Sequence, residues 1–459
     1  MTKETNARPA GHPTPIRDRA ALPMVALTLP IIFENIFRIV VSSVDIIMLS
    51  SYSQEAVAAV GMVAQYIFFI QILFNVICIG TSIVLSQYLG AGRMDDSRHV
   101  AQASAVMVLV TALSLCSTVL LGGRAFLGLY DIAPSVRDFA WQYFAIFGGV
   151  GSLFTAFNML QGTVLRAYGY TRDAMYVSFM ANILNVIGNA LALYGFFGLP
   201  VTGVVGVAVS SAFSQVAACA VLAWRIRRHP DVQFPLRGWK QIPRSIYRTI
   251  LSIGVPTAGE NLSYNVAQIV IMAMVTTFGT FAMSAMVYTQ TIARFVFAIA
   301  MSIGTAVQIK TGYFVGARQP ESAYRRLYRY QAVGTGISIS LILLINLLKG
   351  SIIPLFTHTP EIAALTSTLL LFSIYIETGR SLNLVTIPGL KGAGDVRFPV
   401  LFGIVSMWGL MVLGGWILGM RVGLGLVGIW LAIGTDETVR GVVMLFRWRS
   451  KRWMTKAIA

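Results

Sequence analysis

The sequence predicts an all-α integral membrane protein: twelve transmembrane helices in two parallel six-helix lobes. Composition is the first reason. Of 459 residues, 56% are hydrophobic and 12% charged, about half the charged share of a soluble domain, and the mean hydropathy is +0.72. Spacing is the second: apolar runs long enough to cross a bilayer follow one another from Ala21 to Phe446. The third is an internal repeat. Leu29-Pro30 and Glu34-Asn35 return 226 residues later as Val255-Pro256 and Glu260-Asn261.

The chain opens on a polar tail, residues 1–20. A full-length apolar span follows it with no small-residue cleavage pattern, so a cytoplasmic tail is expected rather than a signal peptide. The spans fall near 22–49, 56–85, 101–122, 139–162, 174–197, 201–224, 249–275, 282–309, 330–348, 362–388, 400–420 and 424–446. Strands of a membrane barrel would be shorter and alternating. Span 2 ends in SQYLGAGRMDDSRHV and span 8 in GYFVGARQPESAYRR, with Gly90-Ala91 answering Gly316-Ala317. Span 4 closes in LRAYGYTR (165–172) and span 10 in LKGAGDVR (390–397), 225 residues on; Asn158 and Asn383 keep that spacing. An offset that holds through loops as well as spans indicates a duplicated six-helix unit. Each half has an even number of spans, so both share one orientation about an axis along the membrane normal, and transporters commonly place their sites between such repeats. The expected division is an N-tail 1–20, an N-lobe 21–224, a cytoplasmic linker 225–247 with Pro230, Pro235 and Pro243, a C-lobe 248–446, and a cytoplasmic C-tail 447–459.

The formal charge of +17 suggests nucleic acid until its placement is considered. Twenty-seven Lys and Arg fall on the side of the tails and even-numbered loops; Arg124, Arg137, Lys349 and Arg421 fall on the other, and Arg38, Arg294, Arg380 and Arg440 lie inside spans. That bias predicts both termini in the cytoplasm, a basic loop 225–248 against anionic headgroups, and no nucleic-acid partner. Cys78, Cys116 and Cys219 sit in apolar spans, as small buried hydrophobes rather than a disulfide framework. His12, His99, His229 and His358 fall in tails or loops, so no intramembrane histidine metal site is expected, and no Gly-Lys dipeptide offers a P-loop.

Six acids lie within spans: Glu34, Asp45, Glu260, Glu377, Asp436 and Glu437. A charge at mid-membrane costs about 2.5 kcal/mol or more, so each needs a partner or a purpose. Glu34 precedes Arg38 by four residues, Glu377 precedes Arg380 by three, and Asp436 and Glu437 precede Arg440 by four and three. Those spacings share a helix face and suit structural ion pairs. Asp45 and Glu260 have no such partner, although Arg294 on span 8 could reach Glu260. Asp45 has no counterpart in the second repeat, where Ile271 stands. A lone buried carboxylate tends to hold a proton or bind a cation, whereas one at a helix end is merely hydrated. Span 5 supplies Asn182, Asn185 and Asn189, the last two on one face. Their amides could ligate a hard cation beside a carboxylate or bond between helices.

The motifs LPIIFEN, SVDIIM, EAVAAVGMVAQ, GTSIVLSQYLGAG, NILNVIGNAL, FFGLPVTGVVGVAVSS and LKGAGDVRFP together resemble the multidrug and toxic compound extrusion (MATE) family over nearly the whole chain. The resemblance implies two six-helix lobes around a V-shaped cavity, and export of organic compounds, cationic or amphipathic, against proton or sodium entry. It maps a cation site onto Asp45, Asn185 and Asn189, and loosely onto Ser210 or Ser211. Two positions depart from one branch of the family. Tyr264 stands where a span 7 glutamate is found, with Glu260 one turn earlier. Arg380 stands near a span 10 aspartate, with Glu377 one turn earlier. The coupling ion stays open. Candidate cavity residues are Tyr66, Phe69, Met180, Tyr264, Tyr288, Phe295 and Met301, since aromatic faces and methionine suit varied organic ligands; ordinary packing is their other reading. The expectation is thus a non-enzymatic antiporter, multi-pass and monomeric in a bacterial inner membrane, without cofactor or resident metal, meeting small organic substrates and lipid. The alternative is a flippase or exporter of a lipid-linked or other specific metabolite, which dependence on a lipid tail would reveal.

Overall fold

The structure is a computed structural model and describes residues 20–195, 198, 200–232, 234 and 242–458. Nearly all of the predicted N-tail and part of the linker (233 and 235–241) lie outside the described residues, His12 and Pro235 among them. Twelve long helices fill the rest. The first half holds α1 (Met24–Tyr52), α2 (Gln54–Gly90), α3 (Met94–Leu127), α4 (Pro134–Ala167), α5 (Thr171–Tyr194) and α6 (Gly203–Arg228). The second holds α7 (Arg244–Thr276), α8 (Thr280–Gly316), α9 (Pro320–Ile352), α10 (Pro360–Gly392), α11 (Arg397–Arg421) and α12 (Gly425–Arg449).

Local chemistry sets the ends. The Ser53 side chain accepts from the Glu55 and Ala56 amides, so α1 stops and α2 starts within one residue. Pro134, Pro320 and Pro360 open α4, α9 and α10 at the first turn, where the missing N–H costs nothing. Ten helices are apolar and long enough to cross a membrane. The other two are α7, with Glu260, Asn261, Ser263, Asn265 and Gln268, and α12, with Asp436, Glu437 and Arg440. Leu121 and Leu347 are 87% and 81% exposed within α3 and α9, as lipid-facing residues are when no lipid surrounds them.

Packing repeats with the sequence. In the first lobe α1 packs on α5 and α4 on α6; in the second α7 packs on α11 and α10 on α12. The seam is reciprocal, with α1 on α8, α2 on α7, and α2 against α8. Gly90 and Gly316, two repeat-related glycines, allow close backbone approach across it. A Cβ on Gly90 would overlap the Tyr313 carbonyl, and one on Gly316 the Gln87 carbonyl; Tyr313 is itself Gln87 plus 226. The hydrogen bonds crossing between lobes among the described residues join Asn35 to Ser302, Gln308 to Ser82, Gln87 to the Gly392 carbonyl, and Tyr313 to the Ala167 carbonyl. Lys310 donates to the Ala20 and Leu22 carbonyls, and the Ile458 amide to Gln87. All lie in the helix halves toward the Gly-Ala turns, here the basic end.

Two expectations change. The helices at the basic end outrun the predicted spans by a turn or more, as α4, α8 and α10 reach Ala167, Gly316 and Gly392 instead of 162, 309 and 388. Arg166, Lys310 and Lys391, counted as loop cations, therefore lie on helices, and the two lysines are buried. Hydropathy falls at the first charge, but a helix continues wherever that charge finds a partner. The C-terminal residues, expected as a tail from 447, are also packed. α12 continues to Arg449, Trp453 stacks on Trp448 with ring centroids 3.9 Å apart, and the chain then crosses to Gln87.

Candidate functional site

The first cluster lies where α1, α5 and α6 meet. Asn189 Nδ2 donates to Asp45 Oδ1 at 3.0 Å and contacts Asn185 Oδ1 at 3.4 Å. Asn185 donates to Ser211 Oγ at 3.0 Å, and Ser210 Oγ donates to the Asn185 carbonyl at 3.0 Å. The one-turn spacing on α5 brings both amides to one face, and Asp45 meets them from a helix 144 residues away. Asp45 is half-buried and Asn189 buried. Asn189 Oδ1 is buried with no donor among the described residues, a costly state for an amide oxygen. Among the described residues, Asn182 bonds along its own helix, to the Ser178 carbonyl.

The second cluster joins α10 to α12. Glu377 Oε1 meets Arg380 Nη1 at 2.5 Å, and Arg440 Nη2 meets Asp436 at 2.7 Å and Glu437 at 3.3 Å. These are the same-helix spacings of the sequence. Arg380 Nε also reaches Glu437 at 3.2 Å, and Asn383 donates to Glu437 at 2.8 Å, which welds the two helices. Ser406 on α11 donates to Asp436 at 2.5 Å.

Between the lobes lies a cavity of about 420 Å³. Arg166, Glu260, Lys391, Glu437 and Arg440 are its charged walls; Asn75, Asn261, Gln308 and Asn383 add amides, and Phe297 and Met301 add apolar surface. Glu260 pairs here with Lys391, Nζ to Oε2 at 2.6 Å. This corrects the Arg294 expectation, because α10 continues far enough to bring Lys391 back over α7. Glu34 meets Arg38 at 3.3 Å and also Arg166 at 3.2 Å. The Arg38 side chain is 60% exposed against 22% for Arg166, so Arg166 is the inner partner.

Of the seven cavity candidates, Tyr264 and Met301 line this space; the other five are corrected. Tyr66 bonds Tyr130 at 2.7 Å just past the C-terminal end of α3, Met180 packs into the first-lobe core, and Tyr288 lies against Phe356. Phe69 and Phe295 are exposed and not among the lining residues. A 3.6-residue period places residues on a face but does not say which face meets the cavity. Arg166 and Lys391 were overlooked as loop residues, although aligning LRAYGYTR with LKGAGDVR pairs them directly. Among the described residues, no group of three His, Cys, Asp or Glu is gathered to hold a metal ion.

The MatE family model matches the chain twice, over residues 30–191 and 256–417, two stretches 226 residues apart. A Bacillus subtilis (strain 168) protein called uncharacterized transporter YisQ is 33% identical over 95% of this chain and 96% of its own length. A Thermotoga maritima protein called probable multidrug resistance protein NorM is 22% identical over 95% of this chain and 93% of that one. Among solved structures, a multidrug resistance MATE family transporter of the MOP superfamily in an outward-facing conformation superposes with a TM-score of 0.87. It has 20% identity and covers 96% of this chain and 98% of that one. The duplicated family match and the full-length relatives agree with the repeat, the lobes and the interlobe cavity: the chain belongs to the MatE family of membrane transporters, which are not enzymes.

Proposed function

We propose that this protein is a monomeric, cation-coupled antiporter of the bacterial inner membrane that exports amphipathic organic compounds by alternating access, with both termini in the cytoplasm. The observation that carries the coupling is the Asp45–Asn189–Asn185 cluster with its orphaned Asn189 oxygen. A proton or sodium ion shared with Asp45 would neutralise the carboxylate, and a sodium ion would also occupy the empty acceptor. Glu260 is the second candidate, since it faces the cavity through a single base. Lobes 21–224 and 248–446 are the moving bodies. Their hydrogen bonds at the basic end support a form closed to the cytoplasm, by the charge bias of the loops.

The test is export in proteoliposomes with pH and sodium gradients imposed separately. Asp45→Asn keeps the shape but cannot ionise. It should fold normally, retain substrate binding, and lose gradient-driven export at least about tenfold, equivalent to ~1.4 kcal/mol. Asn185→Ala and Asn189→Ala should lose less, each removing one ligand and leaving the carboxylate. Wild-type export by Asp45→Asn would overturn the assignment and shift it to Glu260.

A further inference from the structure

The geometry points to an anionic head group, carboxylate or similar, as what this cavity recognises on its substrate; the inference rests on the transporter reading above. Its basis is a pair of ion pairs related by the internal repeat. Glu34 on α1 meets Arg166 at the end of α4, and Glu260 on α7 meets Lys391 at the end of α10. The acids are 226 residues apart and the bases 225, the same offsets that relate the two lobes. Each lobe thus offers the cavity one base from the same place in its fold.

The bonds already made decide the polarity. Glu437 is held through both oxygens, by Arg380 on one and by Asn383 and Arg440 on the other, and Glu260 is held by Lys391. An organic cation would find no unpaired carboxylate in the walls and would have to displace Lys391, leaving a buried ammonium without its counter-charge. Among the described residues the orphaned acceptor in the walls, Asn383 Oδ1, is a neutral amide, whereas the charged groups with capacity to spare are donors. Arg166 reaches Glu34 through Nη1 alone, Lys391 commits one of its three N–H groups to Glu260, and Arg440 Nε is buried with no acceptor among the described residues. Charged donors without acceptors favour a ligand that brings oxygens and negative charge. Phe297 and Met301 then meet its apolar body. A head group held by Arg166 from one lobe and Lys391 from the other would also tie ligand to lobe closure.

The test uses three dansyl probes with one body and different heads: a carboxylate, a trimethylammonium and an uncharged methylamide. Binding to the full-length protein in nanodiscs is measured by fluorescence. Wild type should bind the carboxylate probe at least about tenfold tighter than the ammonium probe. The paired replacements Glu260→Gln with Lys391→Gln, and Glu34→Gln with Arg166→Gln, remove base and acid together, so neither strands a buried charge. Each should lower carboxylate binding and leave the methylamide probe nearly unchanged. Equal or tighter binding of the ammonium probe, an unchanged carboxylate preference in both variants, or no binding of any probe would overturn the inference. The transporter reading fails separately, if wild type exports none of a broad compound panel under either gradient.

Discussion

Glu34 shows how a single residue's partner changes what a mutation should do. Sequence spacing assigns it to Arg38, but the Arg38 side chain is largely exposed, whereas Arg166 approaches Glu34 from another helix and is mostly enclosed. Removing Arg166 strands a buried carboxylate, and breaking such a pair costs about 3–5 kcal/mol. Arg166→Gln should therefore lower the thermal midpoint in detergent markedly, Arg38→Ala should lower it little, and Glu34→Gln with Arg166→Gln should recover most of the loss. A larger effect from Arg38→Ala than from Arg166→Gln would return Glu34 to its same-helix partner. Glu260 and Lys391 obey the same logic in the second lobe, at 2.6 Å.

At the level of the helix, the Gly-Ala turns that first revealed the repeat have a mechanical reason. Gly90 ends α2 and Gly316 ends α8, and each lies on backbone of the other helix where a methyl group has no room. Backbone cannot step aside as a flexible side chain can, so the helices themselves must part. Gly316→Ala should weaken closure of the basic end, where Gln87 and Tyr313 make bonds between the lobes. The measurement is thiol labelling of a cysteine introduced at Ser82 in a background without native cysteines. Labelling from the basic side should rise several-fold in Gly316→Ala, and unchanged labelling would show that the seam does not depend on this contact. Two glycines also close the fourth helix of each lobe, Gly169 and Gly394, with φ of 91° and 96°. That left-handed turn turns the chain into α5 and α11.

For the whole molecule, the charge bias and the fold make one prediction about orientation. The turns after α2 and α8 lie at the same end as the closed seam and the packed C-terminal residues. By the positive-inside rule that end is predicted to face the cytoplasm. Asp96→Cys and Pro320→Cys, in protein lacking Cys78, Cys116 and Cys219, should react with an impermeant reagent in inside-out vesicles and not in intact cells. Labelling of both in intact cells would invert the orientation and with it the direction of export.

Helix number, the duplication and the same-helix ion pairs were legible in the sequence, because each depends on periodicity, length or spacing along one chain. Asp45, Asn185 and Asn189, which the structure brings together, also stand out in the sequence as a lone acid and two amides on one face among apolar neighbours. The partners of Glu34 and Glu260 were not. Arg166 and Lys391 lie 132 and 131 residues from their acids, at helix ends that hydropathy assigns to loops, and a pairing at that separation exists only once four helices have packed. The cavity walls were illegible for the same reason: Phe69 and Phe297 have the same chemistry, but only the packing puts Phe297 at the cavity. The sequence determined which charges had to be buried; the tertiary structure decided which countercharges met them, because a buried charge is stabilised by whatever group reaches it in space.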